Sequence, residues 1–459
     1  MQAAGVTDVD VNVAGPFRHR RIGDDYLITN DFGDWLFLSA EEFKRFVHGE
    51  IAAGEPLHDR LKEKRFIHGA LPLNQAVERY RALRWFLDHG PRTHTLALGE
   101  GTADGASMAS ETVDRAIDCA FMSTSPELAF VLTGGEPLAH WDAVERAVTY
   151  VESKNRLARK RVSVALYTSL SGLTDERVSF LAEHAVQVHA RIAGADLDAW
   201  GDLKTWVPKF HDAYAAADQD AEVLHVTVDH TDDGDTPADL SAEVDLAVSL
   251  GCQTIALNPA PSRAFLDDDR GPAERLDAWL ASYVLALDAC IAHEADGRPV
   301  AEATARVLTQ RVLGDRAPNR IVARSPAADG IGELAYHWDG RVFSSEEGRA
   351  LAEFAEDEMF KLGELRYHGY HDMITSPTVR ALVLATLLEG QPGCSESAYA
   401  PFGGLSPAAC YAEHGSIHGR PLEHSGWRQL VHTLDALFTR LRAEEDATGS
   451  VLKRWSEPT

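Results

Sequence analysis

Short apolar segments alternate with amphipathic segments between about residues 93 and 265. Six of them have the length and apolar character of buried strands: residues 94–98, 128–132, 162–167, 187–192, 223–228 and 253–257. The segments between them have helical spacing. Two of these helices are expected to begin at Ser110 and Thr174, and one is expected to end at Gly251. Strands that alternate with helices at this spacing form parallel βαβ units. Six units predict an incomplete, open α/β barrel rather than a closed barrel of eight.

The N-terminal part, residues 1–90, has a different pattern. Residues 26–39 predict two strands around a turn at residues 30–33, and Ser39 is placed to cap the helix that follows. A second short helix is expected near residues 56–67. A hairpin followed by short helices predicts a winged-helix-like domain. Two roles are consistent with such a domain. It either packs against the rest of the chain, or it binds a peptide as an extended strand added to the hairpin.

The C-terminal part, residues 301–459, has little regular periodicity. A hairpin is predicted around the Asp339-Gly340 turn, and residues 427–446 predict an amphipathic helix. Between them, residues 393–419 are rich in Gly, Ser, Pro and Ala, a composition that elsewhere is held in place by metals or disulfides. The sequence therefore predicts three domains, with the barrel at residues 91–300.

Charge and cysteine content restrict the function classes. The chain has 44 basic and 71 acidic residues, a formal net charge of −27, which opposes binding to nucleic acid and to anionic membranes. Five scattered cysteines argue against a disulfide framework. No apolar run was expected to reach membrane-spanning length, and the first residues lack the pattern of a signal peptide. These features predict a cytoplasmic protein.

The segment "FVLTGGEPLAHWD", residues 130–142, carries the main candidate site. Gly134 and Gly135 allow the backbone to approach a ligand, because no Cβ intervenes. Glu136 can accept hydrogen bonds from an ammonium group, and Pro137 suits the first turn of a helix. The segment follows the second predicted strand, at the end where sites form in α/β barrels. Gly134, Gly135, Glu136 and Pro137 are therefore the predicted cofactor-binding residues.

This Gly-Gly-Glu-Pro segment resembles the radical SAM superfamily, whose partial (β/α)6 barrel carries such a motif near the amino group of S-adenosylmethionine (SAM). Over nearly its whole length the chain is similar to one family, the radical SAM maturase HxsB of the His-Xaa-Ser peptide system. The similarity lies in "PFRHRRIGDDYLITNDFGDWLFLS", "SPELAFVLTGGEPL", "GIGELAYHWDGRVFSSEEGRAL" and "YAEHGSIHGR". It implies a SPASM-like C-terminal domain, a precursor-peptide substrate and a second radical SAM enzyme as partner.

The chain departs from this family at the cysteines. The resemblance implies a C-x3-C-x2-C cluster motif after the first barrel strand, where this chain has "GEGTADGASMAS" and no cysteine. It also implies cysteines in the C-terminal domain, of which only Cys394 is present. The matching positions that have lost cysteine are Ala327, Ser345, Ser397, Gly403 and Ser406, with another near Trp427. Ser169 and Ala193 likewise stand where such enzymes often have Asn and Asp. No iron–sulfur cluster and no catalytic residue is therefore expected.

A replacement metal site is a further hypothesis. Cys410, His414, His418 and His424 form a C-x3-H-x3-H-x5-H pattern of zinc-ligand types. The spacing is loose and the surrounding loop is polar, so ordinary surface and core positions are the competing interpretation, and no metal ligand is predicted.

Three functional hypotheses follow. The first is a pseudoenzyme that binds a precursor peptide, an active radical SAM partner, or both. The second is a protein that binds SAM or another small ligand through residues 134–137 without a cluster. The third is an enzyme with non-radical chemistry in the barrel mouth, which the fold alone does not exclude.

Overall fold

The computed structural model describes residues 9–10, 13–100, 105–193, 197–219, 224–229, 240–259, 272–314, 324–418, 424–443 and 449–457. An antiparallel sheet forms first, with β2 in its centre: β1 (Arg18–Ile22), β2 (Asp25–Thr29) and β3 (Trp35–Ser39). The helices α1 (Ala40–Val47), α2 (Pro56–Glu63) and α3 (Leu73–Leu83) follow. The predicted hairpin corresponds to β2 and β3, and β1 was not predicted. Phe43, Phe46 and Leu61 bury the apolar sides of α1 and α2 in a small core beneath this sheet.

In the described residues, the large sheet contains ten strands in the order β10-β9-β8-β7-β6-β5-β4-β11-β12-β13. Their bounds are β4 (Thr93–Ala97), β5 (Glu127–Thr133), β6 (Arg161–Thr168), β7 (Gln187–Ala193), β8 (Leu224–Asp229), β9 (Thr254–Asn258), β10 (Ala301–Glu302), β11 (Glu333–Tyr336), β12 (Arg341–Phe343) and β13 (Lys361–Glu364). All pairs from β10 to β11 are parallel, and β11–β13 are antiparallel. The six predicted strands correspond to β4–β9. The sheet continues past residue 300, through β10 to β13.

Helices connect and cover these strands. They are α4 (Ser110–Phe121), α5 (Trp141–Ala158), α6 (Asp175–Glu183), α7 (Leu197–Ala216), α8 (Leu240–Ser249), α9 (Pro272–Ala295) and α10 (Ala303–Leu313). Further along are α11 (Glu346–Phe354), α12 (Tyr370–Ile374), α13 (Pro377–Ala385), α14 (Pro407–His414), α15 (Ser425–Ala443) and α16 (Gly449–Ser456). The fold is thus mixed α/β around a large parallel sheet, in agreement with the predicted class. The core is continuous from β4–β9 to α15 and α16.

Two expectations about helices need correction. Ser110 does not cap α4: Ala109 is the N-cap and Ser110 is the first helical residue, whereas Ser39 and Thr174 cap α1 and α6 as predicted. Within the residues described, one helical segment, Leu276–Ala295, is long and apolar enough to cross a membrane by length and composition. Half of that segment is buried, because α9 packs on α8 and α15 as part of the protein core.

The N-terminal sheet is attached to the C-terminal helix α15. Trp35 and Phe37 pack edge-on against Phe438, with ring centroids 5.4 and 6.4 Å away. Arg20 donates a bidentate pair of hydrogen bonds to the carboxylate of Asp435. These contacts join segments about 400 residues apart in sequence, so the two ends of the chain form one packed body.

Candidate functional site

The predicted cofactor-binding segment lies at the carboxyl edge of the parallel sheet. Gly134 follows β5 directly, and the neighbouring strands β4 and β6 end at Ala97 and Thr168. Because these strands are parallel, their carboxyl ends meet at the same edge. The sequence-based placement of the segment at that edge agrees with the structure.

Gly134 brings two chain segments into very close contact. Its φ is +96°, in the region that favours glycine, and a Cβ built there would lie 2.7 Å from the Cα of Ala97. The nearest contacts are therefore with the backbone at the end of β4 rather than with a cavity. In this structure the glycine serves close packing between two strand ends.

Glu136 is bonded entirely within the chain. Its Oε1 accepts from the backbone N–H of Leu138 at 3.0 Å and from the hydroxyl of Thr168 at 2.6 Å. Its Oε2 accepts from the backbone N–H of Ser169 at 2.7 Å and also from the Ser169 hydroxyl. A carboxylate offers about four lone-pair positions, so four donors occupy its full capacity. An ammonium group would have to displace one of these donors to bind here.

Pro137 begins a single-turn 3₁₀ helix, residues 137–140, that leads into α5. At its end His140 is buried, and its Nε2 has no hydrogen-bond partner among the described residues. A Cβ on Gly99, in the loop after β4, would lie 2.0 Å from that nitrogen, so the ring is packed directly on this loop. His140 was not among the predicted site residues. Its position three residues after Pro137, within the same short helix, could have indicated that it lies near residues 134–137.

The loop after β4 does not contain a thiol. Residues 101–104 of this loop lie outside the described part of the chain, and the sequence has no cysteine between residues 98 and 110. The five cysteines are all buried, and none forms a disulfide. Burial raises the pKa of Cys119 to about 11 and the pKa of Cys252, Cys394 and Cys410 to about 12, and it also raises the pKa of Cys290. In the described residues, no three of these thiols are grouped as an iron–sulfur cluster requires.

The positions that match lost auxiliary cysteines have structural roles. The hydroxyls of Ser345 and Ser406 cap α11 and α14, accepting from backbone N–H groups at 3.2 Å. Ala327 is buried and donates its backbone N–H to Thr386. A Cβ on Gly403 would lie 2.2 Å from Leu430, so side-chain packing fills this position. Caps and packed side chains therefore stand where the resemblance implies ligands.

The remaining positions follow the same pattern. Ser397 accepts a hydrogen bond from the backbone N–H of Tyr399 at 3.2 Å, and Trp427 is buried in the core with α15. Cys394 and Cys410 are both fully enclosed by neighbouring residues. The C-terminal loop region is thus stabilised by hydrogen bonds and apolar packing in the described residues.

The candidate zinc ligands are not brought together. Cys410 is buried, His418 is exposed, and the rings of His414 and His424 are 6.1 Å apart. His424 instead lies 3.4 Å from the carboxylate of Glu413. Throughout the described ranges, no group of three or more His, Cys, Asp or Glu side chains is arranged to hold a metal ion.

Comparison with solved structures finds the same overall fold in native anSMEcpe with bound AdoMet. The TM-score is 0.58 at 10% identity, covering 79% of this chain and 100% of that chain. The structure of anSMEcpe with AdoMet and the Cp18Cys peptide also has a TM-score of 0.58 at 10% identity, covering 79% and 99%. SuiB from Streptococcus suis has a TM-score of 0.46 at 10% identity, covering 89% and 98%. At 10% identity the likeness to anSMEcpe concerns the fold. No family model and no curated protein matches the sequence.

Proposed function

We propose that this chain is a catalytically degenerate relative of the radical SAM maturases, with a partial (β/α)6 barrel and a SPASM-like C-terminal domain without clusters. It acts as a peptide-binding or partner subunit in the modification of a ribosomally made peptide. The observation that carries this proposal is the absence of any thiol in the loop after β4. The five cysteines elsewhere are buried, and in the described residues no three of them lie together as that set requires.

The remaining parts of the site support the same proposal. The glycine-rich segment keeps its position at the sheet edge, but Gly134 and Glu136 bond and pack within the chain. At several positions where the resemblance implies cluster ligands, caps and core packing occupy the site. The residues present therefore do not fit an iron–sulfur cluster, and we assign no reaction step to one.

A peptide partner is proposed on two grounds. The fold is similar to anSMEcpe, which has a structure with the Cp18Cys peptide. The N-terminal sheet also has two edge strands, β1 and β3, on either side of β2. An edge strand offers backbone groups to which an extended peptide can add. We place this peptide-binding domain at residues 1–90, the barrel at 91–300 and the degenerate auxiliary domain at 301–459, in a cytoplasmic protein.

Anaerobic reconstitution with iron and sulfide tests the loss of chemistry. We expect less than stoichiometric iron and no reductive cleavage of SAM. Stoichiometric iron together with cleavage of SAM contradicts the proposal. For the partner role, the full chain is titrated with small precursor peptides encoded by neighbouring genes and with an active maturase. Saturable binding to at least one is expected, and binding to neither overturns this role.

A SAM-binding protein without a cluster is the second candidate. It is favoured by the likeness to AdoMet-bound anSMEcpe and by the retained glycine-rich segment. Calorimetric titration with SAM separates the two candidates. A binding heat that saturates supports SAM binding if it is lost in Glu136→Ala and kept in Glu145→Ala. The degenerate-subunit proposal predicts no saturable heat in either variant or in the native chain.

A further inference from the structure

A small cleft of about 50 Å³, partly open to solvent, lies at the opposite edge of the parallel sheet from residues 134–137. Arg324 lines it and lies 4.1 Å from the ring centroid of Phe86, which precedes β4. The backbone N–H groups of Arg92 and Thr93 bond to Gly332, just before β11. These residues stand where two parallel strands begin, whereas Gly134 stands where β5 ends. The cleft is therefore separate from the candidate site described above.

The cleft concentrates positive charge in a strongly acidic protein. Its charged lining consists of four arginines and two carboxylates: Arg18, Arg84, Arg311, Arg324, Asp31 and Glu389. Two arginines are neutralised, because Arg18 pairs with Asp31 and Arg84 pairs with Glu389. The other two arginines of the lining are Arg311 and Arg324, and the carboxyl groups of Glu333 and Asp329 act on Arg324.

Arg311 is the arginine with the least compensation. Arg311 is 9% exposed, and its Nη2 donates to the backbone oxygen of Pro401 at 2.6 Å. Within the part of the chain that the structure describes, its Nε has no hydrogen-bond partner. Burial lowers the pKa of Arg311 to about 10, and the positive charges of Arg84 and Arg79 act in the same direction. The guanidinium nevertheless remains protonated at neutral pH. A buried cation with one neutral acceptor is costly unless an anion compensates it.

We propose that this arginine cleft binds a small oxyanion, a carboxylate or phosphate group, with Arg311 as its principal counter-charge. The planar guanidinium has a forked set of donors that matches the oxygens of both groups. The proposal stands independently of the proposed function, since it uses no residue of the segment 134–137.

Thermal denaturation of the full chain at constant ionic strength tests it. Chloride is replaced stepwise by inorganic phosphate in one series and by succinate in another. We expect the melting temperature to rise and then saturate, by about 3 °C near saturation, because a ligand that binds only the folded state stabilises it. A response to phosphate alone identifies phosphate as the ligand group, and a response to succinate alone identifies carboxylate. No saturable rise in either series overturns the proposal.

Two variants locate the effect. Arg311→Met should keep or raise the melting temperature in chloride, because it removes an uncompensated buried charge, and should abolish the response to anions. The control is Arg298→Met, because Arg298 is exposed and pairs with Asp296 outside the cleft. This variant should keep the full response to anions. A full response in Arg311→Met overturns the proposal.

The third variant adds a carboxylate within the cleft, so that the test does not depend on the folding of Arg311→Met. Ala400→Glu should raise the melting temperature in chloride and remove the response to anions. If Ala400→Glu lowers the melting temperature and leaves the response intact, the cleft is not an oxyanion site.

Discussion

At the residue scale, Gly134 shows how one position can be required for packing rather than for a ligand. Its backbone conformation is strained for any other residue, and its missing Cβ makes room for the backbone at Ala97. The Gly-Gly-Glu-Pro motif was enough to locate the segment in the fold. It did not indicate that the backbone of β4 would fill the space beside Gly134.

We expect Gly134→Ala to lower the free energy of unfolding by about 2–4 kcal/mol, from backbone strain and from a steric clash. Chemical denaturation measures this change. Gly54→Ala is the matched control, because Gly54 has a φ of +95° with no atom within 4 Å of a built Cβ. That control carries the conformational cost alone. Equal losses in the two variants would show that the contact with β4 contributes nothing.

Glu136 leads to a second prediction at this scale. Glu136→Ala leaves the hydroxyl of Thr168 and the backbone N–H groups of Leu138 and Ser169 without their acceptor. We expect a loss of about 1–3 kcal/mol in the free energy of unfolding, measured by chemical denaturation. The exposed Glu145→Ala should change it by less than about 0.5 kcal/mol. An unchanged stability in Glu136→Ala would mean that these hydrogen bonds are replaced by water at no cost.

At the element scale, local sequence signals identified most strands and several helix ends. Strands β4–β9 were predicted because each is an apolar segment between helical segments, and the Asp339-Gly340 turn predicted the hairpin of β11 and β12. Strands β1, β10 and β13 were not predicted. They are short and carry charged residues, and their pairing depends on partners that are remote in the chain.

Helix caps provide a prediction at this scale. The hydroxyl of Ser39 accepts from the backbone N–H of Glu42, and the Glu42 carboxylate accepts from the backbone N–H of Ser39. Ser39→Ala should therefore lower the free energy of unfolding by about 1 kcal/mol. Ser110→Ala is the control: Ser110 is exposed within the first turn of α4, so its change should be near zero in the same denaturation measurement. A larger effect at Ser110 would reverse our assignment of the caps.

At the scale of the whole molecule, the buried carboxylate of Asp329 makes stability depend on pH. Asp329 is buried close to Glu333 and Glu347; burial first, and then the charge of Glu347, raises the pKa of Asp329 to about 7. The folded state therefore holds this proton up to about pH 7, whereas an unfolded aspartate loses it near pH 4. The stability that this group contributes is complete below about pH 4 and is lost as the pH rises through 7.

Asp329→Asn should remove this dependence. Relative to the native chain, we expect the variant to gain on the order of 2–4 kcal/mol in the free energy of unfolding at pH 8, and less at pH 5, because it cannot carry the buried charge. Denaturation across pH 4–9 measures the difference.

Asp339→Asn is a control for which the opposite change in stability is expected. Although burial opposes the shift, bonds from His337 and Arg341 hold the pKa of Asp339 below its usual value, so this variant should be less stable than native at pH 7. A parallel pH profile for Asp329→Asn and the native chain would contradict the assignment.

The sequence by itself determined the parallel α/β sheet, the hairpins and the position of residues 134–137, because periodicity, turn residues and caps act over a few neighbouring residues. It also showed that the loop after β4 has no thiol. Only the tertiary structure decided that the donors bonded to Glu136 occupy its full capacity, that His140 lies on that loop, and that Ser345 and Ser406 cap helices. The arginine cleft was likewise invisible in the sequence. Its charged residues are separated by up to several hundred positions, and the charge of Arg311 becomes uncompensated only when folding removes water from around it.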